Sequence, residues 1–427
     1  MDDVMRDMRG NVLFMGGVPC VFGGDQRQIL PITQQNSVAA ALSVDIKGSS
    51  RWRHFKVFRL RAFMRNRGDP EYAGSVDNIG NGIAPGPYSV DERGDAHGVY
   101  VPEGVRLMEG VDDAAVDALL RFVHPNLEDG PSSTRAAATC AVASPFNAVV
   151  DELNLKCLDR FHGIARRLHA THQLPDILSD IPALATEEHM ASVSASGVPA
   201  ACLEFKVGCL VMCLRNLLPQ LGIQNGTLLK VTKISDFVIQ VQTLPSSSDV
   251  QPVQASLPRI LFPVKTGTLT FHRRQFPLRL AYARSINKMQ GATITRLGLD
   301  MRSSVFSHGQ LYVALSRVAN RNSVRILGLP QPPPGERAVI HNVVYRRVLG
   351  LSAAGMAAAA ARAERPQERV PYLQMGDTGS LRSLRSNEDR GDGEGLAAPG
   401  ESDNEIYFSE EEGGSSFSDD SHEGRSK

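Results

Sequence analysis

The sequence predicts an α/β protein, in which a doubly wound parallel sheet with helices on both faces carries an inserted small β-barrel. Two apolar runs, within residues 12–33 and 136–154, have the pattern of buried parallel strands that end in polar residues. The second run, AAATCAVAS, continues into a helix that begins within PFNAVVDELN. A repeated strand and helix predicts a sheet that binds ligands at the carboxyl ends of its strands.

The barrel is predicted between residues 200 and 272, where short apolar runs alternate with turns. The runs are GCLVMCLRN, GIQNGTLLKVTKI, DFVIQVQTL and LPRILF. Asn225-Gly226 lies between two of them and is a strong hairpin signal. Residues 66–135 are rich in Gly, Pro and Asp with little periodicity, which predicts mostly long loops.

The carboxyl-terminal part changes composition. Residues 351–362 are rich in alanine and predict a short helix that ends before Pro366. From residue 363 onward Glu, Asp, Gly and Ser dominate, and such a composition cannot bury enough apolar surface to fold. We therefore expect 363–427 to be a disordered acidic tail.

The formal net charge of zero hides an asymmetry. Residues 388–427 hold 13 acidic residues against 3 basic ones, whereas residues 251–350 hold 15 basic against 2 acidic. The strongly basic composition of residues 251–350 favours a polyanionic partner such as nucleic acid. The alternative is that these charges only face solvent. No run approaches about 18 apolar residues, so we expect no membrane segment and an intracellular protein.

Six scattered cysteines, mostly in apolar runs, predict reduced core residues, and neither they nor His169 and His172 have a zinc-site spacing. We predict no metal site in this chain.

Four short stretches carry the candidate chemistry. Gly24–Pro31 (GDQRQILP) follows the predicted strand VPCVF, and its side-chain amides can contact a terminal phosphate. Arg65 ends the stretch LRAFMR. The third stretch, AYARSINKMQGAT, is preceded by RRQFP, and the fourth is FSHGQLYVALSR, which ends at Arg317. In the fourth, Tyr312, Leu315 and Ser316 have helical spacing.

These stretches, in this order, resemble the later motifs of Pif-type DNA helicases, particularly the Helitron transposon branch. The family pattern is roughly GDFRQ-LPV, NMR, LLRNL with GLCNGT, RRQFP, TINKSQGQT and FSHGQLYVALSR. The resemblance covers about residues 5–330 of this chain. It implies a RecA-like motor domain with an inserted SH3-like barrel, a partial first RecA-like domain, and 5′ to 3′ unwinding of DNA in repair, recombination and genome maintenance. Separately, we expect a nuclear location.

The resemblance also implies site residues. Gln28 resembles the sensor of the γ-phosphate, and Arg65 and Arg317 resemble the arginines that stabilise charge developing on it, a task suited to guanidinium. Gln290 and Gly291 resemble the loop that links nucleotide to DNA. The predicted contacts with the backbone of single-stranded DNA are Asn147, Ser285, Asn287 and Lys288. This chain departs from the family pattern at Gln26, Arg284, Ser285, Met289 and Ala292, which leaves the coupling of DNA to nucleotide open.

Each assignment has a simpler alternative. In the simpler alternative, Arg65 is an ordinary surface arginine and Gln28 is an ordinary loop residue. Ser285 and Asn287 then only cap a helix. Tyr312 and Leu315 are better explained as core residues than as ligands.

The family's ATP and Mg²⁺ sites need GxxxxGK[ST] and an Asp-Glu pair, and the sequence contains no such glycine-rich string. The opening MDDVMRDMRG resembles the helix that follows the Asp-Glu pair, so we expect the P-loop to lie upstream or on another chain. This chain alone is therefore expected to have negligible ATPase activity.

The predicted domains are 1–60, a remnant of a first RecA-like domain; 61–199 and 273–350, the second RecA-like domain; 200–272, the barrel; 351–362, a helix; and 363–427, the tail. Three functions stay open at this point. They are a helicase whose front part is supplied from elsewhere, a non-catalytic remnant of a transposon helicase that binds single-stranded DNA, and an interaction role of the acidic tail.

Overall fold

The computed structural model describes residues 1–31, 38–58, 60, 64–87, 96–174, 186–195, 197–245, 250–266 and 269–349. The helix predicted at 351–362 and the tail predicted at 363–427 lie outside the described residues.

The helices are α1 Asp2–Arg9, α2 Val38–Ser43, α3 Pro70–Gly80, α4 Asp113–Val123, α5 Thr134–Ala138, α6 Asn147–Arg160, α7 Glu187–Ser192, α8 Gln310–Leu315 and α9 Arg346–Leu349. The strands are β1 Ala96–Tyr100, β2 Arg106–Leu107, β3 Cys140–Ser144, β4 Arg166–His169, β5 Thr171–Gln173, β6 Cys202–Phe205, β7 Leu210–Cys213, β8 Leu228–Ile234, β9 Val238–Thr243, β10 Gln254–Pro258, β11 Ile260–Thr266, β12 Leu269–Gln275, β13 Leu278–Leu280, β14 Ala283–Ser285, β15 Arg296–Asp300, β16 Val324–Leu327 and β17 Val339–Val343.

A five-stranded sheet in the order β14-β3-β15-β16-β2 forms the centre of the fold, and its pairs are all parallel. Every residue of β3 is buried. Cys140 and Val142 pack into a core with α4 and α6, and Ala141 and Ala143 pack into a second core with α3 and α8. The predicted fold class, an α/β protein whose parallel sheet is covered by helices on both faces, is confirmed.

The inserted β-region contains an antiparallel sheet in the order β10-β9-β8-β7-β13. Val211, Val231, Ile239 and Val241 point from it into the same core as α4 and α6. A second sheet, β11-β12-β5, and the pair β4-β6 accompany it. The predicted strands between 200 and 272 are present, and the pairing extends beyond those limits, from β4 to β13.

The two-residue hairpin predicted at Asn225-Gly226 is wrong. β7 and β8 pair, but residues 214–227 connect them, and within this loop Leu218 bridges to Ile223. Gly226 donates its N–H to the Cys213 carbonyl at 2.8 Å with φ of +95°. The Asn-Gly pair therefore closes the far end of a long loop, because its positive φ suits any sharp turn and not only a hairpin.

The strand predicted at VPCVF is also wrong. Phe14–Gly17 form a 3-10 helix, and Val21 is fully exposed. A buried strand needs hydrogen-bonded neighbours, and no strand pairs with residues 18–22 in the part of the chain that the structure describes.

Much of residues 66–135 is predicted as long loop, and the structure adds regular elements between the loops. This region contains α3, α4, α5, β1 and β2. The Asp69 and Asp112 side chains accept hydrogen bonds from the first-turn amides of Tyr72 and Ala115, so both helices begin at capping residues that the sequence displays.

The cysteine prediction holds in part. All six cysteines are free, and four are buried, but Cys20 and Cys202 are exposed. The described residues include no helix long and apolar enough to cross a membrane.

Candidate functional site

The loop Gly24–Leu30 docks on the start of α8. The Tyr312 hydroxyl donates to Asp25 Oδ2 at 2.8 Å, and the Arg27 guanidinium lies 5.0 Å from the centre of the Tyr312 ring. Arg27 also forms ion pairs with Asp25 and with Asp77 of α3. Burial alone would raise the pKa of Asp25, but the hydrogen bond and charge of Arg27 outweigh it, so the pKa is lowered and the carboxylate stays ionised.

Gly309 and His308 fix the distance between this loop and α8. Gly309 has φ of +73°, and a Cβ there would lie 2.3 Å from the Arg27 carbonyl oxygen. The buried His308 ring contacts the Gln26 carbonyl through Nε2 at 2.8 Å and accepts from the Tyr345 N–H through Nδ1 at 2.9 Å. Because Tyr345 donates to Nδ1, the Nε2 atom carries the proton. Gln28, on the same loop, therefore lies beside residues 308–312.

Arg65 and Arg317 meet at Ser316. Arg65 Nη1 donates to the Ser316 carbonyl at 2.8 Å, and Arg317 Nη2 donates to the Ser316 hydroxyl at 2.8 Å. Their other partners are the neighbouring Thr293 hydroxyl for Arg65 and the Ala292 and Val313 carbonyls for Arg317. Within the described residues neither guanidinium forms an ion pair with a carboxylate. Two cations thus share one small region, and the charge of the Asp25 carboxylate acts on Arg317 without forming an ion pair with it.

Burial and charge repulsion act together on Arg317. Its side chain is 3% exposed, and burial followed by the charge of Arg65 lowers the pKa of the guanidinium. An arginine in this position stays charged in practice, so an incoming anion would relieve the repulsion. The site is therefore electrostatically suited to a phosphoryl group.

The segment that carries Arg65 is held against the chain that follows α8. The buried Asn66 amide donates to the Val318 and Ala319 carbonyls, and Asp69 pairs with Arg321. The Arg321 hydrogen bond is the main cause that lowers the pKa of Asp69, to about 2. These contacts place Arg65 although the side chain itself is exposed.

A second group of predicted residues lies at the carboxyl ends of β14 and β3. Ser285 ends β14 and is paired in register with Ser144, which ends β3 two residues before Phe146. Asn147 begins α6, and its side-chain oxygen accepts from Arg279 at 3.3 Å. Ser285 precedes the 3-10 helix Ile286–Met289 but makes no capping bond through its side chain, so the capping alternative is wrong for Ser285.

Asn287 and Lys288 occupy that 3-10 helix. Asn287 Oδ1 accepts from Gln310 Nε2 at 3.1 Å, and Lys288 Nζ donates to Asn225 Oδ1 of the inserted β-region at 3.2 Å. Gln290 is exposed, and Gly291 turns the chain with φ of +85° toward Ala292, whose carbonyl accepts from Arg317. A continuous path therefore joins Lys288 to Arg317.

Several residues of the site were not predicted from the sequence. Gln310 is fully buried. Its side-chain oxygen accepts hydrogen bonds from the Phe306 and Ser307 amides, and its side-chain nitrogen donates to Asn287. Tyr312 is a core residue, as expected, but its hydroxyl also binds Asp25. The signal for Gln310 was a polar residue inside an otherwise apolar helical run, which requires a buried partner.

Arg284 departs from the resembled pattern and is almost fully buried. Burial lowers the pKa of its guanidinium to about 10, and one nitrogen donates to the Cys140 carbonyl at 3.0 Å. Such a buried guanidinium is not available at the surface for contact with DNA.

The described residues include no group of three or more His, Cys, Asp or Glu side chains that could hold a metal ion. Asp2 is buried in ion pairs with Arg6 and Arg51 and accepts from the Met15 amide.

Two family models match the sequence. Residues 1–82 match the model of PIF1-like helicases, and residues 188–234 match the 2B domain of the DNA helicase Pif1. The second match covers α7 to β8 of the inserted region.

Relatives with curated descriptions match over part of their length. The chain is 35% identical over 143 residues to the ATP-dependent DNA helicase Pif1 of Bdellovibrio bacteriovorus, which covers 34% of this chain and 31% of that protein. It is 31% identical over 157 residues to the human ATP-dependent DNA helicase PIF1, covering 36% of this chain and 24% of the human protein. The matches thus span about a third or less of these relatives.

Among solved structures, Bacteroides Pif1 bound to single-stranded DNA aligns with a TM-score of 0.49 and 19% identity, covering 84% of this chain and 70% of that one.

Proposed function

We propose that this chain, which matches the model of PIF1-like helicases over residues 1–82 and the model of the Pif1 2B domain over residues 188–234, carries the second-domain half of an ATP-dependent DNA helicase and binds single-stranded DNA. The observation that carries the proposal is the pair Arg65 and Arg317, which meet at Ser316 with neutral partners only among the described residues. A planar guanidinium grips phosphoryl oxygens in a bidentate manner, and two of them can stabilise the charge that develops on a transferred phosphoryl group.

The nucleotide half of the site combines these arginines with Gln28. The loop that holds Gln28 contacts α8 through Gly309, His308 and Tyr312, and the Gln28 amide donates to Asp25 at 3.4 Å, which supports a position near the helix that leads to Arg317. We assign Gln28 to sensing the terminal phosphate of ATP, and Gln290 and Gly291 to the connection between nucleotide and DNA.

The DNA half lies along the carboxyl edge of the sheet. Ser285, Asn287 and Lys288 supply a hydroxyl, an amide and an ammonium, and Asn147 supplies a second amide from the neighbouring strand end. Such groups suit phosphate and sugar oxygens and select no base. Gln310 ties Asn287 to the segment that ends at Arg317, so DNA contact and nucleotide contact share one rigid connection.

ATP hydrolysis would need a glycine-rich phosphate cradle and Mg²⁺ ligands, which this sequence does not contain as a GxxxxGK[ST] string. We propose that an upstream segment or another chain supplies them, and that this chain alone does not hydrolyse ATP. The second candidate is a non-catalytic protein that binds single-stranded DNA. The 5′ to 3′ polarity, the Helitron branch, the nuclear location and roles in repair and recombination remain predictions of the resemblance.

The test is binding of a fluorescent oligothymidylate by the full chain, measured by anisotropy at several salt concentrations. We expect K288A to weaken binding and to lower the salt slope by about one, since one phosphate contact is lost. K233A, which removes an exposed lysine from β8, is the matched control and should bind as the wild type does.

ATP turnover by the same preparation, with and without the oligonucleotide, is measured in parallel. No detectable turnover is expected, and DNA-stimulated hydrolysis would contradict the proposed division of the site. Translation of the DNA upstream of Met1 separates the two candidates: an in-frame GxxxxGK[ST] followed by an Asp-Glu strand end supports the helicase, and stop codons support the non-catalytic protein.

A further inference from the structure

Two phenylalanine side chains lie exposed against each other at the edge of the parallel sheet. Phe146 is 42% exposed and Phe306 is 55% exposed, and their ring centres are 5.0 Å apart with an angle of 36° between the planes. Rings in contact that keep about half of their surface in water leave apolar faces open to a further planar group.

The fold explains why the two rings meet. Phe146 follows β3 and Phe306 lies in the loop after β15, and β3 and β15 are adjacent parallel strands. The carboxyl ends of neighbouring parallel strands lie on one edge of the sheet, where ligands of α/β proteins bind.

Hydrogen bonds tie this pair to the proposed DNA contacts. The Phe306 amide donates to Gln310 Oε1 at 2.9 Å, and Gln310 Nε2 donates to Asn287. On the other side, Phe146 is followed directly by Asn147, whose carbonyl and side chain both accept from Arg279. The rings are therefore flanked by polar groups suited to a sugar-phosphate backbone.

Polar groups next to Phe146 also lack partners. The Ser144 hydroxyl is buried and has no hydrogen bond among the described residues, although Ser144 precedes Pro145 and Phe146 directly. Phe146 is the N-cap residue of the 14-residue helix α6, so no side chain caps its first turn. Amides of an uncapped first turn are ready to bind an anion such as phosphate.

We propose that Phe146 and Phe306 form a platform on which one base of single-stranded DNA stacks, while its phosphate lies near the start of α6. This inference rests on the proposed function and deepens it. A duplex cannot use the platform, because its bases are already stacked on each other. A protein partner fits less well, because stable protein interfaces bury on the order of 1,000 Å² or more and two rings with a polar surround offer far less.

The experiment compares the Kd for a short oligothymidylate, and for the same oligonucleotide with abasic positions, in the full chain. We expect F146A and F306A each to weaken binding of the intact oligonucleotide by about ten-fold, since one stacking contact is lost. Abasic positions should weaken the wild type and leave the double variant F146A/F306A unaffected. F237A, which removes an 82% exposed ring from the turn between β8 and β9, is the matched control and should bind as the wild type does.

Two further variants distinguish loss of the stacking contact from misfolding. F306Y keeps an aromatic face and should retain binding, and F306W in a W52F background should show tryptophan quenching on addition of DNA. Wild-type affinity in F146A and F306A, with K288A still weakened, overturns the platform and leaves the proposed function standing. A change in oligomeric state without a change in DNA affinity overturns the platform in favour of a protein contact, and no DNA binding by the wild type overturns both proposals.

Discussion

Gly309 is the residue at which the nucleotide loop and α8 approach most closely. Its φ of +73° lies in the left-handed region, and a Cβ would meet the Arg27 carbonyl oxygen at 2.3 Å and the Gln28 carbonyl carbon at 2.8 Å. Both atoms are backbone, so neither can rotate away. Glycine is required here for two separate reasons, the backbone conformation and the missing side chain.

The substitution G309A separates these reasons when it is compared with G222A. Gly222 has nearly the same φ, +70°, but no atom lies within 4 Å of its added Cβ. We expect G222A to lower the free energy of unfolding by about 1 kcal/mol through conformation alone. G309A should cost about 3 kcal/mol, because the loop must also move. Urea unfolding measures both, and equal costs would contradict the close approach.

The neighbouring Asp25 is a different kind of residue, since its role is electrostatic. Its carboxylate accepts hydrogen bonds from the Tyr312 hydroxyl and the Arg27 guanidinium, and Arg27 also forms an ion pair with Asp77. Burial raises the pKa of Asp77, with the charge of Arg27 acting against it. One arginine thus serves two carboxylates, which ties the loop to α3 and to α8 at once.

At the scale of the element, Arg273 attaches β12 to the chain around α7. Its buried guanidinium donates to the Met190, Val193 and Pro199 carbonyls and to His172 Nε2 of β5. These acceptors come from three parts of the chain: β5, α7 with its C-cap residue, and Pro199. The first arginine of the motif RRQFP therefore has a structural role. Its guanidinium donates hydrogen bonds to carbonyl groups that would otherwise be buried without partners.

The next residue provides a matched comparison, because Arg274 is exposed on the opposite face of β12. We expect R273A to lower the free energy of unfolding by about 3 kcal/mol and to expose the amides of residues 187–193 to hydrogen exchange. R274A should change it by about 0.5 kcal/mol or less. Similar losses in both variants would show that charge, and not the buried hydrogen bonds, is what matters.

At the scale of the whole molecule, His124 links α4 to the sheet within the core shared by the α/β and β-regions. It is 3% exposed, its Nε2 atom lies 3.1 Å from the Tyr282 carbonyl, and its Nδ1 atom has no partner among the described residues. Burial lowers the pKa of His124 from 6.5 to about 4. The folded protein therefore holds this ring neutral, whereas the unfolded chain takes up a proton below about pH 6.5.

The low pKa of His124 makes the stability of the folded protein depend on pH. Between about pH 6.5 and pH 4 the unfolded state binds more protons than the folded state, so stability falls as the pH falls. At about pH 5 the loss from this group is about 2 kcal/mol relative to neutral pH. Unfolding curves at the two pH values should show a smaller loss in H124Q, which cannot titrate. An unchanged pH dependence in H124Q would rule out His124 as the source.

Some elements of the fold could be predicted from short stretches of sequence, because the pattern of apolar residues within each stretch is enough. The buried run CAVAS followed by a helix became β3 and α6, and the alternating runs after residue 200 became β7 to β11. Part of FSHGQLYVALSR became α8, whereas the assignment of Gln28, Arg65, Arg317 and the Ser285–Lys288 segment to one site stays a prediction of the resemblance. Apolar periodicity within a dozen residues is enough for such predictions.

Other features of the fold depend on contacts between distant parts of the chain. The run VPCVF has the composition of a strand but no pairing partner among the described residues, and the Asn225-Gly226 turn closes a long loop because β7 and β8 pair at a distance. The contacts of Gln310 with Asn287, of Asp25 with Tyr312 and of Phe146 with Phe306 join residues far apart in the chain. A residue's own sequence neighbourhood fixes its local conformation, but its partners depend on which strand ends and helices the complete fold brings to the same edge.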